Sequence, residues 1–414
     1  MRILTVTNMY PPHHYGGYEL SCRDVMLRFE QRGHEVTVLT TTLRLPAVAE
    51  ADEPGVIRRL RFYWRDHELL SPSIVGRLRI EWSNQRMLRR ALRDAKPEVI
   101  SVWNMGAMSL GLLTTLVRSG VPIVYNVCDD WLDYGPHLDA WTRLFVRRPG
   151  LARVVAAITR VPTVVPDLGS TGAFCFVSER TRRHAEARGH RFSRVAIVHS
   201  GIDRADFPAM SPPVQGPWGW RLLYVGRLDH RKGIDTIIRA LPLLPAEATL
   251  ELVGQGEAAE LERLRTLGAE LGVLHRLTFG SAERSALRER YQAADALVFP
   301  STWDEPFGLV PLEAMACGTP VVATGRGGSA EFLADGVNCL LFPAGDEAAL
   351  AAALHRLAAE APLRAALVEA GLSTADGLTI EHLAATLEAW HVAAAANFAD
   401  GEPLPRQHLG PLAG

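Results

Sequence analysis

The sequence predicts an α/β protein of two doubly wound domains, each a parallel sheet covered by helices on both faces. Three observations carry that expectation. Short, continuously apolar and β-branched runs recur along the chain, as strands buried on both faces require. Helix-period segments separate them, the alternation that builds parallel sheets through crossovers. The chain has 414 residues, more than one core usually serves, so the series divides into two domains.

In the first half the runs cover residues 2–8, 35–41, 98–103, 122–127, 172–177 and 194–199; in the second they cover 220–226, 248–253, 276–280, 295–300, 319–324 and 339–342. Between them lies Ser211-Pro-Pro-Val-Gln-Gly-Pro-Trp-Gly219, whose prolines and glycines deny it helix or central strand. The expected organisation is therefore 1–210 as the first domain, 211–219 as linker and 220–377 as the second domain. After residue 345 the sequence turns alanine-rich and helical, and 400–414 read as a frayed tail.

Composition narrows the classes. With 48% hydrophobic residues, 22% charged residues and a formal net charge of -2, nothing points to a nucleic-acid partner. Cys22, Cys128, Cys175, Cys317 and Cys339 are odd in number and lack CxxC spacing, which fits reduced cytoplasmic thiols and no metal site. Met1 leads straight into a strand-like run, with no secretory signal pattern, and no stretch has the ~18 apolar residues of a membrane span. Two segments are strongly basic: residues 58–96 carry ten arginines and Lys96 against four acids, with Phe62, Tyr63, Trp64 and Trp82 interleaved, and residues 140–166 carry five arginines and no acid. They read either as solvated faces whose arginine stems cover a core, or as peripheral contacts with the inner face of an anionic membrane, where a lipid-linked acceptor would lie.

The chemistry gathers at strand exits. Tyr10-Pro-Pro-His-His-Tyr-Gly16-Gly17 leads from the first strand into a helix; its glycines serve either a turn or the close approach of a phosphate to free helix amides. In Leu222-Leu-Tyr-Val-Gly226-Arg227-Leu-Asp-His-Arg231-Lys232-Gly233 a strand delivers two cations to the carboxyl edge of the sheet, where open α/β sheets bind ligands, a pairing suited to a diphosphate. Lys96 and Lys232 are the only lysines among 44 basic residues, which favours a specific role for Lys232. The most informative segment runs Asp304-Glu305-Pro-Phe307-Gly308-Leu309 to Glu313-Ala-Met-Ala-Cys-Gly318. It places Glu305 before a short helix and Glu313 inside it: a carboxylate for sugar hydroxyls, helix amides for phosphate, and a second carboxylate for ribose hydroxyls. Thr324-Gly-Arg-Gly327-Gly328-Ser-Ala-Glu331 is a further glycine-rich exit, either lining the same site or making a plain turn.

These motifs, with Val177-Ser-Glu179 and His199-Ser-Gly201-Ile-Asp203, resemble the retaining glycosyltransferases of family 4 (group 1 glycosyltransferases) over nearly the whole chain. The resemblance implies the GT-B fold, two Rossmann-like domains facing each other across a cleft, and transfer of a hexosyl unit from a nucleotide-diphosphate sugar, as co-substrate rather than cofactor, to a hydroxyl acceptor. It implies retention of configuration and no metal. Arg227 and Lys232 would hold the diphosphate, Glu305 the transferred sugar and Glu313 the ribose, with Gly16, Gly17, Gly254, Phe307, Gly308 and Leu309 completing the donor site. Residues 378–397 would form the helix that returns to the first domain. Where many members carry His-Asp near the sugar, this chain has Cys128-Asp129-Asp130, so either Asp129, placed with the catalytic residues here, or Asp130 or a backbone group takes over that part. The acceptor is a polysaccharide, a glycolipid or a natural-product precursor.

Other functions remain in view. Gly254-Gln-Gly256-Glu-Ala-Ala259 after a strand resembles part of a dinucleotide fingerprint, without the acid expected about 20 residues on. A nucleotide-sugar epimerase or a sugar phosphorylase shares the architecture, and a binding protein that has lost activity would account for Cys128.

Overall fold

The computed structural model describes residues 1–45, 48, 54–65, 68–208 and 218–397; the expected tail and residues 211–217 of the expected linker lie outside them. Contacts divide the chain into two compact units. Unit 1 holds Met1–His199 together with residues 383–397, and unit 2 holds Ser200–His382. The division thus falls just after His199, ahead of the stretch expected as linker.

Unit 1 is built on a parallel sheet of β1 (Arg2–Val6), β2 (Glu35–Thr41), β3 (Val56–Leu60), β6 (Val99–Val102), β7 (Ile123–Val127), β8 (Ala173–Phe176) and β9 (Val195–Ile197), ordered β3-β2-β1-β6-β7-β8-β9. A two-stranded ribbon, β4 (Trp64–Arg65) with β5 (Glu68–Leu69), stands apart from it. The crossovers are α1 (Gly17–Gln31), α2 (Ile74–Ala95), α3 (Gly111–Arg118), α4 (Trp131–Leu138), α5 (Pro149–Thr159) and α6 (Glu179–Ala187). All four residues of β6 and all five of β7 are buried, which explains their unbroken apolar runs.

Strand β3 is not among the expected runs. Its sequence Val-Ile-Arg-Arg-Leu breaks the apolar pattern because it is an edge strand, paired on one side to β2, and edge strands carry charge. Arg58 also removes part of the basic 58–96 segment from the solvated surface, since its guanidinium donates to the carbonyls of Tyr10 and Pro11.

Unit 2 repeats the plan with β10 (Arg221–Val225), β11 (Thr249–Val253), β12 (Leu277–Gly280), β13 (Ala296–Phe299), β14 (Val321–Ala323) and β15 (Leu340–Leu341), ordered β12-β11-β10-β13-β14-β15 and wholly parallel. Around it lie α7 (Ile234–Ala240), α8 (Ala258–Glu270), α9 (Arg284–Ala293), α10 (Leu309–Ala316), α11 (Glu347–Ala359) and α12 (Ala361–Gly377). Leu222, Tyr224, Leu250, Leu252 and Val298 from the sheet meet Ile237, Leu264 and Leu350 from the helices in one core; each such side chain contributes about 1.5–3 kcal/mol by leaving water.

The last helix, α13 (Ile380–Ala395), belongs to unit 1 from Leu383 on. There His391 packs edge-on against Phe29 at 5.3 Å, and Glu388 bonds Arg32 and His34 at 2.6 Å each.

Candidate active site

Both sheets have one place where strand order reverses direction, and there the loops at the carboxyl ends of neighbouring strands part to leave a crevice. In unit 2 this point lies between β10 and β13. The exit of β10 supplies Gly226, Arg227 and Lys232, and the exit of β13 supplies Ser301, Trp303 and Glu305. Lys232 Nζ donates to Glu305 Oε1 at 2.7 Å, and Ser301 Oγ donates to the same oxygen at 2.7 Å. The Glu305 side chain is 6% exposed and that of Lys232 20%, so this ion pair is only partly shielded from water. Trp303 lies 5.6 Å from the Lys232 ammonium and 5.2 Å from the Arg231 guanidinium, within range of cation–π attraction.

The glycine-rich exit of β14 locks Glu305 from behind. Gly328 N donates to Glu305 O at 2.7 Å, and a Cβ on Gly327 would stand 2.4 Å from that oxygen, so the residue must be glycine for the strands to approach. Arg227 points out of this cluster: its guanidinium is 3.4 Å from Asp229, its side chain 59% exposed. Asp229 is held well below the usual carboxylate range, chiefly by the Arg231 guanidinium. Gly308 caps α10, which begins at Leu309 as expected and ends at Ala316, with Cys317 as its cap and Gly318 past it at positive φ. Phe307 is buried, its ring 5.0 Å from Phe332. Glu313 is buried too, with Oε2 accepting from Tyr291 Oη at 2.7 Å, and burial pushes its carboxyl up.

Gly254 has a different explanation from donor contact. A Cβ there would stand 1.8 Å from Gly226 O, and one on Gly256 2.6 Å from Leu228. The exits of β10 and β11 therefore pack backbone to backbone. Glycine is needed at both positions for that contact.

In unit 1 the reversal lies between β1 and β6. Gly16 N, ahead of α1, donates to Glu19 Oε2 at 3.1 Å. Glu19 is also hydrogen-bonded by Asn104, which follows β6, and Asn104 Nδ2 reaches Asp129 Oδ2 at 3.4 Å. Tyr134 Oη donates to the same Asp129 oxygen at 2.7 Å, and Trp131 N to Oδ1 at 3.0 Å. The structure thus joins Gly16 and Asp129 through Glu19 and Asn104. Burial pushes the Glu19 carboxyl up to about 7 and that of Asp129 up to about 6, each further raised by a neighbouring carboxylate. Cys128 is driven the same way by burial, then by Asp129, so it stays a neutral thiol. Asp130 is engaged elsewhere, in a two-oxygen pair with Arg180 at 2.5 and 2.7 Å.

A family model for glycosyl transferases group 1 matches residues 219–374, and one for Glycosyltransferase Family 4 matches residues 15–206. The chain belongs to the family 4, group 1, glycosyltransferases. The glycosyltransferase is 27% identical over 370 residues to an uncharacterized glycosyltransferase of Methanocaldococcus jannaschii, covering 82% of this chain and 84% of that protein. Its fold is similar to sucrose-phosphate synthase from Thermosynechococcus elongatus (TM-score 0.72, 22% identity, 95% of this chain and 99% of that one). It is also similar to Anabaena HepE in complex with UDP-glucose (TM-score 0.65, 20% identity, 93% and 99%). At such identities the likeness establishes the GT-B fold of two Rossmann-like domains.

Of the residues singled out in the glycosyltransferase sequence, unit 2 gathers Lys232, Glu305, Phe307, Gly308, Leu309 and Glu313 on adjoining exits, with Arg227 at their margin. Gly16, Gly17 and Asp129 belong to unit 1. Sequence reasoning missed Ser301, Tyr291, Glu19 and Asn104. Two of these had a signal: Glu19 stands three residues after Gly16, the capping-box spacing, and Asn104 is a polar residue directly past a buried strand. Ser301 stands only four residues before its partner Glu305, in the same loop, but that spacing carries no motif of its own; Tyr291 had no signal, because it meets Glu313 through the packing of α9 on α10.

Proposed function

We propose that this glycosyltransferase moves a sugar from a nucleoside-diphosphate donor to a hydroxyl acceptor, with retention of configuration and without a metal. The observation that carries the reading is the Lys232–Glu305 pair at the reversal point of the unit 2 sheet. Glu305 is an acceptor for hydroxyls of the transferred sugar. Lys232 shares its charge between Glu305 and the donor diphosphate, Arg227 adds a second mobile cation, and the amides opening α10 face the same charge. Glu313, oriented by Tyr291, accepts from ribose hydroxyls. HepE, solved with UDP-glucose, shares the fold and supports a donor of that class.

Gly16 supports the unit 1 half of the reading. Its backbone is extended (φ -160°, ψ -172°) and a Cβ would meet only Glu19 Oε2, at 3.7 Å. Neither a positive φ nor packing requires glycine there; beside its place as the N-cap of α1, we assign it the close approach of a phosphate to the free helix amides. In the reaction the C1–O bond to the diphosphate breaks as the acceptor oxygen bonds C1 on the same face, and the acceptor proton passes to the departing phosphate oxygen. Asp129 and Glu19, both in unit 1, accept hydrogen bonds from hydroxyls of the acceptor.

The test is a thermal-shift screen against UDP, GDP, ADP, dTDP and NAD, followed by product analysis with the matching sugar donor. A nucleoside diphosphate should raise the melting temperature by mass action, and transfer should require an acceptor. Turnover of the donor without an acceptor would indicate an epimerase, and a shift with NAD alone would overturn the reading.

A further inference from the structure

Helix α5 is apolar on two sides. Ala152 and Val155 face inward, packing with Trp141, Phe145, Val161 and the α2 residue Leu78. Leu151, Val154 and Ile158, spaced so as to share the opposite face, are 45%, 54% and 77% exposed. Val146 and Val164 flank the helix at 78% and 58%. Helix α2 runs alongside, tied to the α5 region by Arg77 donating to Ala140 O at 2.8 Å and Arg89 to Arg160 O at 3.0 Å. Its first turn exposes Ile74 and Val75, and its third turn exposes Trp82. These two short segments hold eight of the fifteen large apolar side chains exposed among the described residues, so the exposure is concentrated rather than scattered.

The charge around this face is predominantly positive, with Asp167 an exposed acid just past Val164. Arg143, Arg147, Arg148, Arg153 and Arg160 are all exposed, and no acid lies between residues 140 and 166. On α2, Arg79, Arg86 and Arg90 are exposed, while Glu81 is fully buried and Asp94 is paired with Arg90. A protein core cannot explain apolar side chains that point to water, and a solvated helix face does not explain why they line up among arginines. An anionic lipid surface explains both: the apolar stripe enters the acyl boundary while the guanidinium groups stay at headgroup level.

We infer that α5 and the start of α2 form a docking face with which this protein lies on an anionic membrane surface. No helix among the described residues is long and apolar enough to cross a membrane, so the contact is peripheral and reversible. Such a face would hold the enzyme where a lipid-borne hydroxyl is concentrated.

The experiment is co-sedimentation of the full chain with vesicles of phosphatidylglycerol and phosphatidylcholine, and with phosphatidylcholine alone. The wild type should bind the anionic vesicles, weaken as salt rises, and bind neutral vesicles at least tenfold less. Ile158→Glu and Val154→Glu should each reduce binding to anionic vesicles at least tenfold at unchanged melting temperature, because both side chains are exposed. Arg148→Glu with Arg153→Glu should reduce it and flatten the salt dependence, and Val337→Glu, exposed on unit 2, should leave it unchanged. Absence of binding by the wild type, or equal loss with Val337→Glu, would overturn the inference. So would a dimer in light scattering that Ile158→Glu converts to monomer without any vesicle binding, since the face would then be covered by a second copy.

Discussion

Lys232 and Glu305, 73 residues apart, meet at 2.7 Å where the sheet of unit 2 reverses, with Ser301 on the same carboxylate oxygen. On the proposed function the pair has a structural and a chemical role at once. Replacing Lys232 with Ala leaves Glu305 buried without its cation, which should cost about 3 kcal/mol and lower turnover by ~10²-fold or more. Lys232→Met with Glu305→Gln should regain most of the stability without regaining activity. Denaturant melts and initial rates on the three proteins check this; recovery of both together would contradict the chemical role.

Arg227 should behave differently. Its side chain is 59% exposed and its partner Asp229 has Arg231 closer, at 2.9 Å, so Arg227→Ala should change stability by less than about 1 kcal/mol. Turnover should still fall by ~10²-fold, the scale of one charge-stabilising donor lost. Equal melting temperature with reduced kcat is the expected result.

The glycines should separate by cause. Gly254→Ala forces a Cβ within 1.8 Å of Gly226 O and should destabilise by about 1–3 kcal/mol through overpacking. Gly16→Ala has room in the structure, so its melting temperature should hold while the donor KM rises. A destabilised Gly16→Ala protein would return that residue to a backbone role.

Asp129→Asn keeps the size of the side chain and removes its charge. It should lower kcat well below wild type while leaving the thermal shift with a nucleoside diphosphate intact, because the nucleotide-holding residues proposed here are in unit 2. With its carboxyl pushed up to about 6, the wild-type rate should climb as pH rises through that value, and the variant should lose that inflection.

Glu81 predicts a pH effect on stability alone. Fully buried and bonded by Tyr63 at 2.7 Å and by Ser109, its carboxyl is pushed up to about 8 from 4.5. Between those values the folded chain binds more protons than the unfolded one, so stability falls as pH rises. The contribution is complete below about pH 4.5 and lost as pH passes 8. Glu81→Gln should lose less melting temperature than wild type between pH 5 and pH 8; parallel curves would argue against it.

Much of this was legible in the chain. All twelve expected strands are present, and the central ones are legible because a buried parallel strand needs a continuous apolar run, a local property that residues such as Val99-Ile-Ser-Val102 display without knowledge of their neighbours. The helix from Leu309 to Ala316, stopped just ahead of Gly318, was equally local. Edge strand β3 was not, since its arginines satisfy a one-sided pairing that only its position in the sheet explains.

The sequence by itself determined the parallel α/β class, the pairing of motifs with strand exits and, through Glu305, Glu313 and Lys232, the family. The tertiary structure alone decided which exits adjoin. Strand order placed β10 beside β13 and β1 beside β6, and thereby brought Lys232 to Glu305 and made Asn104 the bridge from Glu19 to Asp129, while the packing of α9 on α10 made Tyr291 the partner of Glu313. It also decided that Gly254 serves packing and that the α5 arginines border exposed apolar side chains. The physical reason is range: backbone propensity and hydrophobic period act over a few residues, whereas hydrogen-bond partners, burial and the carboxyl shifts that follow from it depend on contacts between segments tens of residues apart.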